Sequence, residues 1–197
     1  PFIICGHNDN IAWGMTNVMV DNLDFFVEKI NPDNPDEYLY KDEWKKIRTK
    51  KEIIKIKGKD SKEIDIRYTV HGPIVSELKE DIKDLVISAK WQGFEYSNEL
   101  LGVYLLNKAE NFDDFKTAAK EFIAVSQNIV YADTKGNIGL VCAAGIPIRP
   151  SNDGAKVQPG WTGEHEWKGV VPFDERPISY NPVSGFVSSA NYNTAQN

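Results

Sequence analysis

The sequence predicts an α+β chain that is mostly β, and three observations carry this. Short apolar runs recur between Gly, Pro and Asn punctuation along most of the 197 residues. Residues 52–57 and 63–70 alternate apolar with charged side chains around Lys57-Gly58-Lys59-Asp60, the pattern of a hairpin with one face in water. Helical spacing is confined to residues 98–122.

The elements follow in order. Residues 2–5 and 11–14 read as strands around the turn Gly6-His7-Asn8, and 23–30 as another. The 52–57/63–70 hairpin comes next. Gly72-Pro73 marks a turn and 85–90 a short strand. Residues 98–107 read as a helix. Residues 111–122 read as a second: Asn111 can cap it, Asp113 and Asp114 suit the positive end of its dipole, and Phe112, Phe115, Ala119 and Phe122 share a face. Residues 127–133 and 137–142 flank Lys135-Gly136, a hairpin signal. Beyond Pro147 the chain reads as irregular loops with a last strand at 185–189.

This length supports one core, at most two small domains. Hydrophobic content of 41% and charged content of 26% are ordinary for a globular chain. A net charge of −6 argues against a nucleic-acid partner. The lysines between Lys41 and Lys62 are interleaved with acids, so they read as a solvated face. No run approaches the roughly 18 apolar residues of a membrane helix. Cys5 and Cys142 are too few and too far apart for a metal knuckle or a disulfide framework. Both sit in apolar runs and read as buried free thiols, with a single disulfide as the alternative in an exported protein.

Chemistry concentrates near the N-terminus, in GHNDNIAWGMTN (Gly6–Asn17) followed by Asp21-Asn22-Leu23-Asp24. A turn beside a strand supplies backbone N–H groups that can hold a developing oxyanion. Two carboxylates three apart, with a carbonyl between them, make hard-oxygen ligands of the kind Ca2+ prefers. The plainer reading is a tight turn with a solvated acidic end. None of the three histidines has a nucleophile-and-carboxylate arrangement readable from the sequence. His7 reads as a turn-stabilising residue, His71 as structural and His165 as exposed. Trp13, Trp44, Trp91, Trp161 and Trp167 read mostly as core packing.

Six motifs occur in a fixed order over nearly the whole chain. They are GHNDNIAWGMTN with DNLDFFVE, YTVHGPIV (Tyr68–Val75), KWQGFE (Lys90–Glu95), NIVYADTKGNIGLVCAAGIPIR (Asn128–Arg149), PGWTGEHEWKGVVPF (Pro159–Phe173) and NPVSGFVSSANYN (Asn181–Asn193). In this the chain resembles the β subunit of the penicillin acylase (penicillin amidase) family of N-terminal-nucleophile hydrolases. The resemblance implies a four-layer αββα fold with loop insertions, of which residues 1–197 form part. It also implies hydrolysis of a linear N-acyl amide, of penicillin acylase or acyl-homoserine-lactone acylase type. The nucleophile would be an N-terminal Ser, Thr or Cys exposed by self-cleavage, its own amine serving as base.

That nucleophile lies some tens of residues before the GHN motif in the family. Nothing in this chain matches it, so these residues are expected to be inactive alone. The chain opens on Pro1 inside an apolar run and stops after an Asn-rich turn, which reads as a piece of a larger protein. Its expected partners are the α subunit, the rest of the β subunit and a small N-acyl substrate, in the periplasm or outside the cell.

The resemblance also assigns residues. The backbone N–H of Asn17 and the side-chain amide of Asn191 would form the oxyanion hole, with Asn193 as the alternate. Cys5, Val103 and Tyr104 would border the acyl group. Cys5 is smaller than the aromatic residue of the penicillin G enzymes, which leaves an aliphatic acyl chain equally open. Asp21, Leu23 and Asp24 would hold Ca2+, with a further carbonyl from the Ser151–Gly154 loop. A reading from another class is a noncatalytic binding or scaffold module that keeps the fold without the chemistry.

Overall fold

In the computed structural model the described residues are 2–79, 81–82, 84–151 and 154–196. In chain order the strands are β1 (Gly6–His7), β2 (Ile11–Asn17), β3 (Leu23–Glu28), β4 (Glu37–Tyr40), β5 (Glu43–Lys46), β6 (Arg48–Ile54), β7 (Lys62–Tyr68), β8 (Val86–Trp91), β9 (Gln127–Asp133), β10 (Ile138–Ala143), β11 (Gln158–Pro159) and β12 (Ile178–Tyr180). The α-helices are α1 (Glu99–Lys108) and α2 (Phe112–Ala119). They fall into two compact units. One comprises Pro1–Asn22, Gln92–Ile148 and Gly169–Asn197, the other Leu23–Trp91 and Arg149–Lys168.

The first unit is built on an antiparallel sheet in the order β1-β2-β9-β10-β12. Side chains alternate across a strand, so every second residue of β2, β9 and β10 faces one side. Ile11 and Trp13, Ile129 and Tyr131, and Val141 and Ala143 gather with Leu106, Phe115, Ala118 and Phe122 from α1, α2 and the turn after α2 into the main core. The helices start where the sequence supplies caps. Asn98 accepts from the Leu101 N–H, and Asn111 from those of Asp113 and Asp114. A Cβ on Gly102 would lie 2.7 Å from the Phe122 ring, and the absence of one lets α1 approach it. On the opposite side of the sheet, Val18, Cys142 and Ala144 form a smaller cluster.

The second unit pairs β3 with β8 antiparallel and β11 with β3 parallel, beside the hairpins β4–β5 and β6–β7. Tyr38, Tyr40, Ile47 and Ile74 form its core. The β6–β7 hairpin closes around the expected turn, but burial does not alternate along β6, where Ile53 and Ile54 are exposed, and most of the hairpin is exposed.

Several expectations are corrected. Residues 2–5 form no strand, because the Asn107 side chain takes the backbone of Ile3 at both ends: Ile3 N–H donates to Oδ1 (2.9 Å) and Nδ2 donates to the Ile3 carbonyl (2.8 Å). Residues 185–189 are irregular, with Gly185 at φ +72°, and the final strand is Ile178–Tyr180 instead. Cys5 is exposed rather than buried, whereas Cys142 is buried as expected. Trp44 and Trp91 are exposed, and Trp13 is the tryptophan placed in the core.

Candidate active site

The C-terminal end of β2 brings together the two groups expected to hold an oxyanion. Asn17 ends the strand opposite Gln127 of β9, whose Nε2 donates to Asn17 Oδ1 (3.1 Å). The Asn17 backbone N–H donates to Oδ1 of Asn191 at 3.0 Å, across 174 residues of sequence. Asn191 adopts a left-handed backbone (φ +53°), which Asn tolerates better than most residues. Asn193 is directed elsewhere: its Oδ1 accepts from the Ala195 N–H in a local turn. Side chains fasten the segment on both sides of Asn191. The hydroxyls of Thr16 and Ser189 bond each other, and the fully buried Asn128 of β9 donates to the Tyr192 carbonyl (2.9 Å).

Beside this end of β2 an open groove of about 800 Å³ runs over the sheet face away from the helices. Cys5, Met15, Val130, Phe186 and Val187 make it largely apolar. Of the three residues expected around an acyl group, Cys5 lines the groove. Val103 is buried in the helix-packed core, and Tyr104 is exposed with its ring edge-on to Phe2 at 6.4 Å.

The acidic cluster divides between the units. Asp21 belongs to the first, while Leu23 and Asp24 open the second. Asp24 is 2% exposed and its carboxylate is already met by donors. Arg149 Nε lies 2.9 Å from Oδ2 and 3.1 Å from Oδ1, Arg149 Nη2 lies 2.8 Å from Oδ1, and the Trp167 indole N–H donates to Oδ2. This is the forked geometry of a guanidinium–carboxylate pair. A cation ligand needs its oxygens turned to the metal. Asp24, turned to Arg149, does not fit Ca2+ as it stands. No group of three or more His, Cys, Asp or Glu side chains is gathered for a metal among the described residues. The carbonyl expected from the Ser151–Gly154 loop falls partly on Asn152 and Asp153, outside the described residues.

His71 is structural in an unexpected way. Its Nδ1 bonds Glu28 Oε1 and its Nε2 bonds Glu166 Oε1, both at 2.8 Å, and Phe26 stacks on the ring at 4.0 Å. Glu28 Oε1 also accepts from the hydroxyls of Thr69 and Ser88. Burial alone would lower the imidazole pKa, but the bonds to Glu166 and Glu28 outweigh it and the pKa is raised. His7 is exposed beside the turn, its Nδ1 near the Asn8 carbonyl. Asn8 itself holds that turn, accepting from the N–H groups of Asn10 and Ile11. His165 is half-buried, not exposed. Asn128, Arg149, Glu28 and Glu166 all lie within the six motifs, but no local pattern reports what they bond, because their partners lie 41 to 125 residues away.

The family profile described as Penicillin amidase matches residues 1–197. Penicillin G acylase of Escherichia coli is 33% identical over 192 residues, 97% of this chain and 22% of that protein. The acyl-homoserine lactone acylase QuiP of Pseudomonas aeruginosa is 30% identical over 208 residues, 100% of this chain and 24% of that protein. The chain thus spans about a quarter of the length of these curated relatives. A thermostable penicillin G acylase from Alcaligenes faecalis superposes with a TM-score of 0.81 at 31% identity, covering 98% of this chain and 36% of that one. The arrangement of sheets and helices is therefore part of an N-terminal-nucleophile hydrolase fold, and the chain belongs to the penicillin amidase family.

Proposed function

We propose that residues 1–197 contribute the oxyanion-binding wall and part of the acyl groove of an amide hydrolase whose nucleophile lies outside them. The observation that carries this reading is the meeting of the Asn17 N–H with the Asn191 carboxamide next to Thr16 and Ser189, which line an apolar groove. Both groups are neutral donors of the kind that stabilise the charge appearing only in a tetrahedral intermediate. Here the Asn17 N–H is satisfied by Asn191 Oδ1. Rotation of the Asn191 carboxamide would release that N–H and turn Nδ2 toward the same point, so that two donors meet one oxygen. The apolar lining by Met15, Val130 and Phe186 suits the acyl half of an N-acyl amide.

The full-length protein is the object to test, with N-phenylacetyl and N-alkanoyl anilides and N-acyl homoserine lactones as substrates. The reading predicts release of the free acid from at least one of them, and two chains by intact mass. A single uncleaved chain that hydrolyses none of them contradicts it and favours a scaffold module.

A further inference from the structure

We infer that Asn128 is a positioning residue for the oxyanion-binding segment, an assignment that rests on the function proposed above. It lies at the middle of the sheet on β9, opposite Thr16 of β2 and Cys142 of β10, with no solvent exposure. A carboxamide in the middle of a sheet costs burial energy unless both its ends are bonded. Both are. Nδ2 donates to the Tyr192 carbonyl at 2.9 Å, and Oδ1 accepts from the Thr194 hydroxyl at 2.8 Å. These anchors fall one and three residues after Asn191, in a stretch with no strand pairing of its own. On the other side, Ser189 bonds Thr16.

The left-handed turn at Asn191 is thus stretched between two anchors on neighbouring strands. The carboxamide of Asn128 fixes how far Asn191 stands from the Asn17 N–H. Asn128 does not line the groove; it sets the distance between the two groups that would meet the oxyanion.

The test is a double-mutant cycle in the full-length protein. Asn128→Ala should lower kcat by about 10- to 100-fold with KM kept within about twofold, because a misplaced donor weakens only the transition state. In an Asn191→Ala background the same substitution should lower kcat by less than about threefold, since the donor it positions is gone. Thr194→Val, which removes one anchor and leaves the core filled, should act in the same direction more weakly. Equal losses in both backgrounds, or a rise in KM with kcat unchanged, would overturn the inference. Amide exchange separates this failure from that of the proposed function. Even in a protein that hydrolyses nothing, Asn128→Ala should speed exchange across 191–195 and leave β2 and β9 unchanged. Unchanged exchange there would overturn the clamp itself.

Discussion

His71 places a buried imidazole between two carboxylates, and its raised pKa fixes the direction of a pH effect. A group whose pKa is higher in the folded state stabilises fully below its unfolded value, near 6.5, and loses that contribution as pH rises through the folded value. Chemical denaturation of the full-length protein between pH 6 and 9 should show falling stability as pH rises, and His71→Gln should flatten that slope. His71→Ala should cost about 3–5 kcal/mol, because it leaves the fully buried Glu28 carboxylate without its cation. Asp24 supports a second prediction at this scale. Its carboxylate already has a cation in Arg149, so a chelator should leave the melting temperature of the full-length protein unchanged, whereas Arg149→Met should lower it. A chelator-induced drop reversed by added Ca2+ would return Asp24 to the role of metal ligand.

Elements whose rules are local were legible in the sequence, and those set by distant partners were not. The α2 start followed from Asn111, and β9 followed from an apolar run ending at a Lys-Gly turn. The β4–β5 hairpin was missed because its two-residue turn is Lys41-Asp42, both left-handed at φ +51° and +64°, without the Gly or Asn that usually announces such a turn. Replacing the pair by Asn-Gly should relieve that backbone strain and raise stability by about 0.5–1 kcal/mol in denaturant titration. Residues 2–5 looked like a strand because nothing in them reports the grip of Asn107, 104 residues away. Gly139 shows tertiary packing imposing a residue on a strand. A Cβ there would sit 2.6 Å from the Phe112 ring and 3.1 Å from the Ser179 carbonyl. Phe112 is itself stacked against Tyr180, so it has little room to yield. Gly139→Ala should therefore cost about 1–3 kcal/mol and leave the fold recognisable by circular dichroism. The candidate site divides in the same way: Asn17 and Asn191 were named from motifs, whereas Asn128 and Arg149 became visible only once distant segments met.

Across the whole chain, a helix-backed antiparallel sheet places two motifs from opposite ends of the sequence against one another, beside an apolar groove on its other face. Under the proposed function, that juxtaposition would form the oxyanion-binding wall of an amide hydrolase. Asn17 and Asn191 would contribute differently, one through its backbone and one through its side chain. Steady-state kinetics of amide hydrolysis by full-length Asn17→Ala, Asn191→Ala and Asn193→Ala therefore test the central claim most directly. Asn191→Ala should reduce kcat by about 10²–10³ with little change in KM, as loss of one oxyanion donor does. Asn17→Ala should be nearly silent because the backbone N–H remains, and Asn193→Ala should have a much smaller effect than Asn191→Ala. Full activity in Asn191→Ala, or a larger loss in Asn193→Ala, would contradict the assignment of Asn191 to the oxyanion hole.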